Sequence, residues 1–294
     1  MKKLQVLIVA AAVLIAVSCL GMDGCVPKAK YEMTVQLSEP MESGGQFATK
    51  THNGEIKVTV AETEKCDITA KITARANTEE NAKKLAEQVK IRFEQTGNKL
   101  TAKVIKPKII DNRYIGVGFD IMLPKQTSLE LVTHNGAVNI NQIDGNIEAR
   151  THNGAVHADG VKGSVVLTTH NGEIRCDGVL GDVKLITHNG GISCKGVTGN
   201  VELSTHNGGA KLTYSDDASP AVNASLTTHN GGLEFIAPKE FSGKVEASTH
   251  NGSIHTDIPI KLVGKISKKN LVGYIGSGEG KLYLKTYNGS INIK

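Results

Sequence analysis

Histidine is the one metal-binding, proton-carrying side chain that recurs at fixed spacing in this sequence. It sits inside a four-residue word, Thr-His-Asn-Gly, opening at Thr51, Thr133, Thr151, Thr169, Thr187, Thr205, Thr228 and Thr249. A further copy, Thr286-Tyr287-Asn288-Gly289, replaces the histidine by tyrosine. From Thr133 to Thr205 the copies are spaced by 18 residues without exception, and the next gaps are 23, 21 and 37. On neighbouring strands His134, His152, His170, His188 and His206, extended by His229 and His250, would form an outward ladder with steps of ~4.8 Å. Adjacent imidazoles then offer nitrogens in pairs to Zn²⁺, Cu²⁺ or Ni²⁺. No carboxylate or thiolate recurs beside the series, and more than two rungs converge poorly on one ion. Like charges about 5 Å apart repel by roughly 1 kcal/mol even in water, so the ladder would also resist full protonation. A purely structural role, with rings stacked over a corner, accounts for the same residues.

The other three residues of the word read as geometry. Thr follows the inward apolar residues by two-residue steps, so Thr169 and its equivalents should point inward. The pairs Asn135-Gly136, Asn153-Gly154, Asn171-Gly172, Asn189-Gly190 and Asn207-Gly208 have the composition of tight turns, with positive φ expected. Stacked asparagines can also hydrogen-bond from rung to rung.

A fixed period of this length means one supersecondary unit stacked on copies of itself. Within each coil, apolar residues fall five and seven places after the Thr: Val138/Ile140, Val156/Ala158, Ile174/Cys176 and Ile192/Cys194. A corner carrying Ile143, Val161, Val179 or Val197 and a following glycine leads to the second apolar pair, Ile147/Ala149, Val165/Leu167, Val183/Leu185 or Val201/Leu203. The apolar signal therefore repeats every nine residues, not every six as in a three-sided hexapeptide helix. The calcium-binding nonapeptide roll shares the nine but needs an aspartate that these corners lack. An all-β, two-sheet β-solenoid of 18-residue coils is expected, resembling a single-stranded β-helix.

Upstream, Ala82, Leu85, Ala86 and Val89 line one face of a single helix expected over about 78–88, with a capping-box-like start at Asn77 and Glu80. The hairpin around Gly97-Asn98 and the strand ending at Pro124 complete a β-rich cap over 45–132, ahead of the solenoid at 133–294. Residues 20–44 read as a tether. Lys2 and Lys3 followed by the apolar run Leu4–Leu20 read as a secretory leader over 1–19. Ala16-Val17-Ser18-Cys19 is similar to a bacterial lipobox, which makes Cys19 the candidate lipidation site, with Cys25 the alternative.

Without the leader 32 basic residues face 29 acidic ones, so no polybasic stretch draws the chain to a membrane, and nucleic acid is excluded as a partner. The remaining Cys66, Cys176 and Cys194 make no CxxC site. Cys176 and Cys194 lie one period apart, so they should meet on neighbouring rungs as two thiols or as a disulfide.

The half-coils Thr-x-Asn-Gly-x-Ile and Gly-x-Val-x-Leu-x-Thr, the β region with one helix, and the ending Ile275-Gly276-Ser277-Gly278 to Ile291 resemble a bacterial β-strand-repeat family of unknown function whose members carry the name adhesin. The resemblance spans about 45–294 and implies the solenoid fold and a place at the cell envelope or surface. The family pattern holds Thr and Gly but not His, so it implies no role for the histidines. No GxSxG, HExxH or P-loop occurs, and the outward positions repeat no catalytic pair, leaving a carbohydrate-active β-helix enzyme as a distant alternative. The sequence thus points to an exported, lipid-anchored, non-enzymatic binding or scaffold module with an unidentified envelope or extracellular ligand. Metal binding by the histidine ladder is the alternative.

Overall fold

The computed structural model describes Val9–Ala12 and residues 29–108, 113–263 and 267–294. Cys19 and Cys25 lie outside them. The nine-residue alternation forms strands because each inward pair finds an equivalent pair on the next coil. Val138, Ile140, Ile143, Ile147 and Ala149 are all at most 2% exposed. They pair in parallel register with the following coil, Val138 opposite Val156 and Ile147 opposite Val165. Repetition gives two sheets, each of 13 strands among the described residues, facing one another across a continuous apolar core. This is the expected two-sheet solenoid. Of the strands flanking the Thr-His-Asn-Gly word, those that follow it lie in one sheet and those that precede it in the other.

At the N-terminal end, Gln46–Lys50 and Ile56–Ala61 flank the first copy of the word and already form a rung of the stack. Gln46–Lys50 lies between Ser128–Val132 and Lys99–Ile105, and Ile56–Ala61 between Val138–Asn141 and Tyr114–Pro124. The boundary placed at Thr133 therefore does not separate cap from solenoid. Residues 29–40 are also no tether. Ala29–Pro40 is a 12-residue strand, antiparallel to Lys65–Ala76, because Tyr31, Val35 and Leu37 alternate inward among charged neighbours. Within the stretch read as a leader, Val9–Ala12 pairs antiparallel with Met33–Gln36.

The helix runs over Glu79–Glu87 and packs on Lys65–Ala76 and Ala29–Pro40 through Ala82, Leu85 and Ala86. Its cap is Thr78 rather than Asn77: the Thr78 hydroxyl accepts from the Asn81 amide at 3.2 Å. Asn77 stands one residue too early for that bond.

At the C-terminal end the stacking order departs from chain order. The coil built on Gly243–Ser248 and Ile254–Thr256 is not followed outward by the last coil. Gly280–Lys285 inserts between Asn223–Thr227 and Gly243–Ser248, and Ile291–Ile293 inserts between Leu233–Ile236 and Ile254–Thr256. The hairpin of Lys261–Leu262 and Asn270–Ile275 then covers the exposed edge of Gly243–Ser248. Edge-to-face contacts of Phe235 with Tyr214 and Phe241 fill the core beneath.

Cys176 and Cys194 do stand opposite one another, and both are free, buried thiols. The contact with Cys176, reinforced by burial, pushes the Cys194 thiol far above the usual range. Cys194 is therefore no reactive thiolate at neutral pH.

Candidate functional site

The word builds one edge of the solenoid, and its four residues divide the work. Each Thr is buried, and from Thr133 on its hydroxyl donates to the glycine carbonyl of a neighbouring rung: Thr133 to Gly54 at 3.0 Å, Thr151 to Gly136 at 2.9 Å, and Thr249 to Gly289 at 2.8 Å, while Thr51 donates to the Val117 carbonyl at 2.8 Å. A buried hydroxyl with such a partner contributes about 1 kcal/mol, and losing it would leave the carbonyl unsatisfied.

The asparagines form a second ladder. Asn153 Nδ2 donates to Asn135 Oδ1 at 2.7 Å, Asn171 to Asn153 at 2.8 Å, and Asn189 to Asn171 at 2.7 Å. The same direction holds from Asn135, donating to Asn53, through Asn207, Asn230 and Asn288 to Asn251. Because every amide donates the same way, every Oδ1 faces the following rung as an acceptor.

Glycine is required by closeness more than by torsion. None of these asparagines has positive φ, contrary to the expectation for Asn-Gly. Among the word's glycines only Gly54, Gly208 and Gly231, with φ of 153°, 155° and 157°, lie in the positive range. What they share is contact: a Cβ on Gly172 would sit 2.1 Å from the Gly154 carbonyl oxygen. Parallel rungs close on each other there with no room for a side chain.

Histidine is left pointing outward. The rings of His134, His152, His170 and His188 stack with centroids 4.7–4.8 Å apart and planes within 5° of parallel. His206 and His229 continue the column at 4.9 and 4.8 Å, with planes turned by 18° and 21°. His52 adds a ring at the other end, 4.7 Å from His134 and tilted by 31°. Its coil stands 82 residues ahead of the regular spacing, and only the pairing of Gln46–Lys50 and Ile56–Ala61 brings it into the column. His250 is displaced from the series. Tyr287 lies between it and His229, stacked at 4.5 and 4.9 Å. The insertion of the last coil puts it there, and nothing in the word spacing marks that.

His134 and His152 are oriented further. Nδ1 of each lies 3.1 Å from the Oδ1 of the following asparagine. That oxygen is an acceptor, so Nδ1 carries the proton and Nε2 holds a lone pair toward solvent. A hydrogen bond from the far ring nitrogen orients metal-ligating histidines in other proteins. Among the described residues, no three His, Cys, Asp or Glu side chains gather around one point.

The opposite corner carries a ladder that the word conceals. Asn146 Oδ1 accepts from the Ser164 amide at 2.9 Å, Asp182 Oδ1 from the Asn200 amide at 2.8 Å, and Asn200 Oδ1 from the Asn223 amide at 3.0 Å. Its sequence signal is the Asn/Ser/Asp/Asn series at 146, 164, 182 and 200, readable only once the corner is known. On the outer sheet faces, charges pair along the stack: Lys184 with Glu202 at 2.7 Å, and Glu234 with Lys211 at 3.0 Å and Lys294 at 2.9 Å. Each face has a shallow concavity, of about 570 Å³ around Val166, Lys184 and Tyr283 and about 600 Å³ around Arg175, Lys211 and Glu234.

Partial burial, then the charges of His134, Lys106 and Lys50, hold the His52 imidazole below its usual range. A base held low in the folded state binds protons more readily once unfolded. Its contribution to stability is therefore intact above about pH 6.5 and is lost as pH falls through the lowered folded value. His52→Gln should soften the fall of the urea midpoint between pH 7 and 5. An unchanged fall would assign the acid sensitivity to other groups.

Comparison with known proteins places this geometry. A family model described as Toastrack DUF4097 matches residues 42–294. Among solved structures, a Bacteroides fragilis protein provisionally named an adhesin is similar at 15% identity and TM-score 0.45, over 89% of this chain and 97% of that one. A Parabacteroides distasonis protein with the same provisional name is similar at 12% identity and TM-score 0.32, over 89% and 97%. A Clostridium sporogenes protein provisionally named for cell adhesion is similar at 12% identity and TM-score 0.27, over 88% and 98%. No curated protein matches the chain.

Proposed function

Because the chain belongs to the Toastrack DUF4097 family, we propose that it is a non-enzymatic binding or scaffold module of the bacterial cell envelope, held to the membrane by a lipid on Cys19. The observation that carries this reading is the construction of the outer surfaces. Two long sheets present side chains in straight columns, and their charged groups neutralise one another along the stack, as Lys184 does with Glu202 and Lys211 with Glu234. Such pairs contribute little to stability, about 0–1 kcal/mol each. They give a rigid, nearly neutral surface suited to extended contact, where a catalytic cleft would set unlike groups converging on one reacting atom.

Lipid attachment is read from the lipobox-like Ala16-Val17-Ser18-Cys19. Cells fed a labelled fatty acid should incorporate it into the wild-type chain and not into Cys19→Ser. Label retained by Cys19→Ser and lost from Cys25→Ser would move the anchor to the second cysteine. Label in neither wild type nor variants would remove the anchor altogether. The binding role is tested by immobilising residues 29–294 and challenging them with purified envelope polysaccharide and outer-surface protein fractions, with and without chelator. Saturable retention of one fraction supports a binding module, and retention of neither overturns it.

A second reading, divalent transition-metal binding by the imidazole column, is favoured by the Nδ1 contacts of His134 and His152 with Asn135 and Asn153. They leave Nε2 free and oriented, as a ligating histidine requires. Zn²⁺, Cu²⁺ and Ni²⁺ are the ions that suit imidazole.

A further inference from the structure

We infer that the column takes up Cu²⁺, Ni²⁺ or Zn²⁺ in pairs of adjacent rungs, one ion per two imidazoles, and that Tyr287 ends the metal-binding run. This rests on the metal reading above and goes beyond it to stoichiometry, site boundaries and the residue that limits them.

The argument starts from the single lone pair of Nε2. At His134 and His152, where the asparagine oxygen engages the Nδ1 proton, one coordinating nitrogen is left, and carrying the same orientation to the other rings gives one ion per ring. Two nitrogens bound to one ion at ~2.0–2.1 Å lie about 3–3.5 Å apart when cis or tetrahedral and no more than about 4 Å apart when trans. The stacked rings are 4.7–4.9 Å apart between centroids, so both rings of a pair must turn inward. The column shows that such turning is accessible, with planes inclined by 31°, 18° and 21° at its two ends. A third ring lies two steps away and cannot reach the same ion. Water completes the coordination, because no carboxylate or thiolate joins the column among the described residues.

Contiguity then decides capacity. Seven rings from His52 to His229 form an unbroken run, which accommodates at most about three pairs under the one-ring, one-ion rule. Among the described residues, the one ring stacked on His250 is that of Tyr287. A phenol is a poor partner for these ions at neutral pH, where it keeps its proton, so His250 stands outside the run despite carrying the same word.

The test uses the chain without a histidine tag, Cu²⁺ as the probe, calorimetry for stoichiometry and electron paramagnetic resonance for the number of equatorial nitrogens. The expected result is about three ions per chain, each with two nitrogens. The triple substitution His134→Gln, His170→Gln and His206→Gln keeps His52, His152, His188 and His229 but leaves no two adjacent. It should lose all pairwise binding, a fall of at least tenfold in affinity. His52→Gln leaves six adjacent rings and should keep three ions. Tyr287→His joins His250 to the run and should raise the capacity to four. Circular dichroism confirms that each variant is folded, and the gain in Tyr287→His needs an intact stack to appear at all. A triple variant that still binds four ions, or a one-nitrogen spectrum, overturns pairing while the metal reading stands. No uptake by the wild-type chain at 100 µM Cu²⁺ overturns both.

Discussion

Gly190→Ala should unfold the middle of the stack, whereas Gly191→Ala, one residue further along, should leave stability unchanged or slightly raised. The two glycines differ in what a methyl group would meet. At Gly190 a Cβ lies 2.0 Å from the Gly172 carbonyl oxygen and 2.5 Å from its carbon, a contact that only backbone movement in two rungs could relieve. That movement would also disturb the Gly190 amide bond to Asn207 and the Thr205 hydroxyl bond to the Gly190 carbonyl. A loss of more than about 4 kcal/mol is expected, in the exceptional range for one substitution. At Gly191 the nearest atom is the Gly209 carbonyl oxygen at 3.6 Å, an ordinary contact, and the stiffer unfolded chain favours alanine by roughly 0.4–1 kcal/mol. Urea unfolding of the pair decides the matter. Equal destabilisation would mean that torsion rather than contact selects glycine here.

Ending the chain at Glu279 should damage the protein far more than the loss of a terminal repeat. In a solenoid whose stacking follows chain order, removing the last coil merely shortens the rod. Here it removes an interior rung. Leu282, Leu284, Ile291 and Ile293 are at most 1% exposed, and their burial is worth on the order of 6–12 kcal/mol at ~1.5–3 kcal/mol per side chain, as an upper estimate. Both Gly243–Ser248 and Ile254–Thr256 lose their parallel partners. Hydrogen exchange on the truncated chain should show residues 243–275 unprotected and the coils from 133 to 204 still protected. Persistent protection of 243–256 would contradict the stacking order.

These expectations also mark how far the sequence could be read. The 18-residue spacing and the apolar pairs nine residues apart define the coil, because a side chain must alternate in a strand and a coil must match its neighbour. Thr169 and Asn171 could be assigned from parity and turn chemistry, and their bonds to Gly154 and Asn153 follow that assignment. Stacking order was not legible. Leu282 and Leu284 satisfy the inward pattern opposite any rung, so nothing local tells them to enter between Ala224 and Val245. The strand at Ala29–Pro40 was hidden for a different reason: its inward Tyr31, Val35 and Leu37 are interleaved with lysine, glutamate and proline that suggested a linker. In the candidate site, the histidine series announced itself, while its two limits did not. His52 joins and Tyr287 interrupts only through contacts between residues 82 and 58 positions apart, those of Asn135 with Asn53 and Asn288 with Asn230.

The interleaved ends have a consequence for how such a molecule can change over generations. Each end is a fixed assembly in which distant segments hold one coil between them, but the coils from Thr133 to Thr205 are interchangeable units of 18 residues. Duplicating or deleting one of them in the gene moves the two ends apart or together by ~4.8 Å and leaves every junction at either end as it was. Length is thus an inherited variable that selection can adjust one step at a time, while the closures that pair the end strands stay constant.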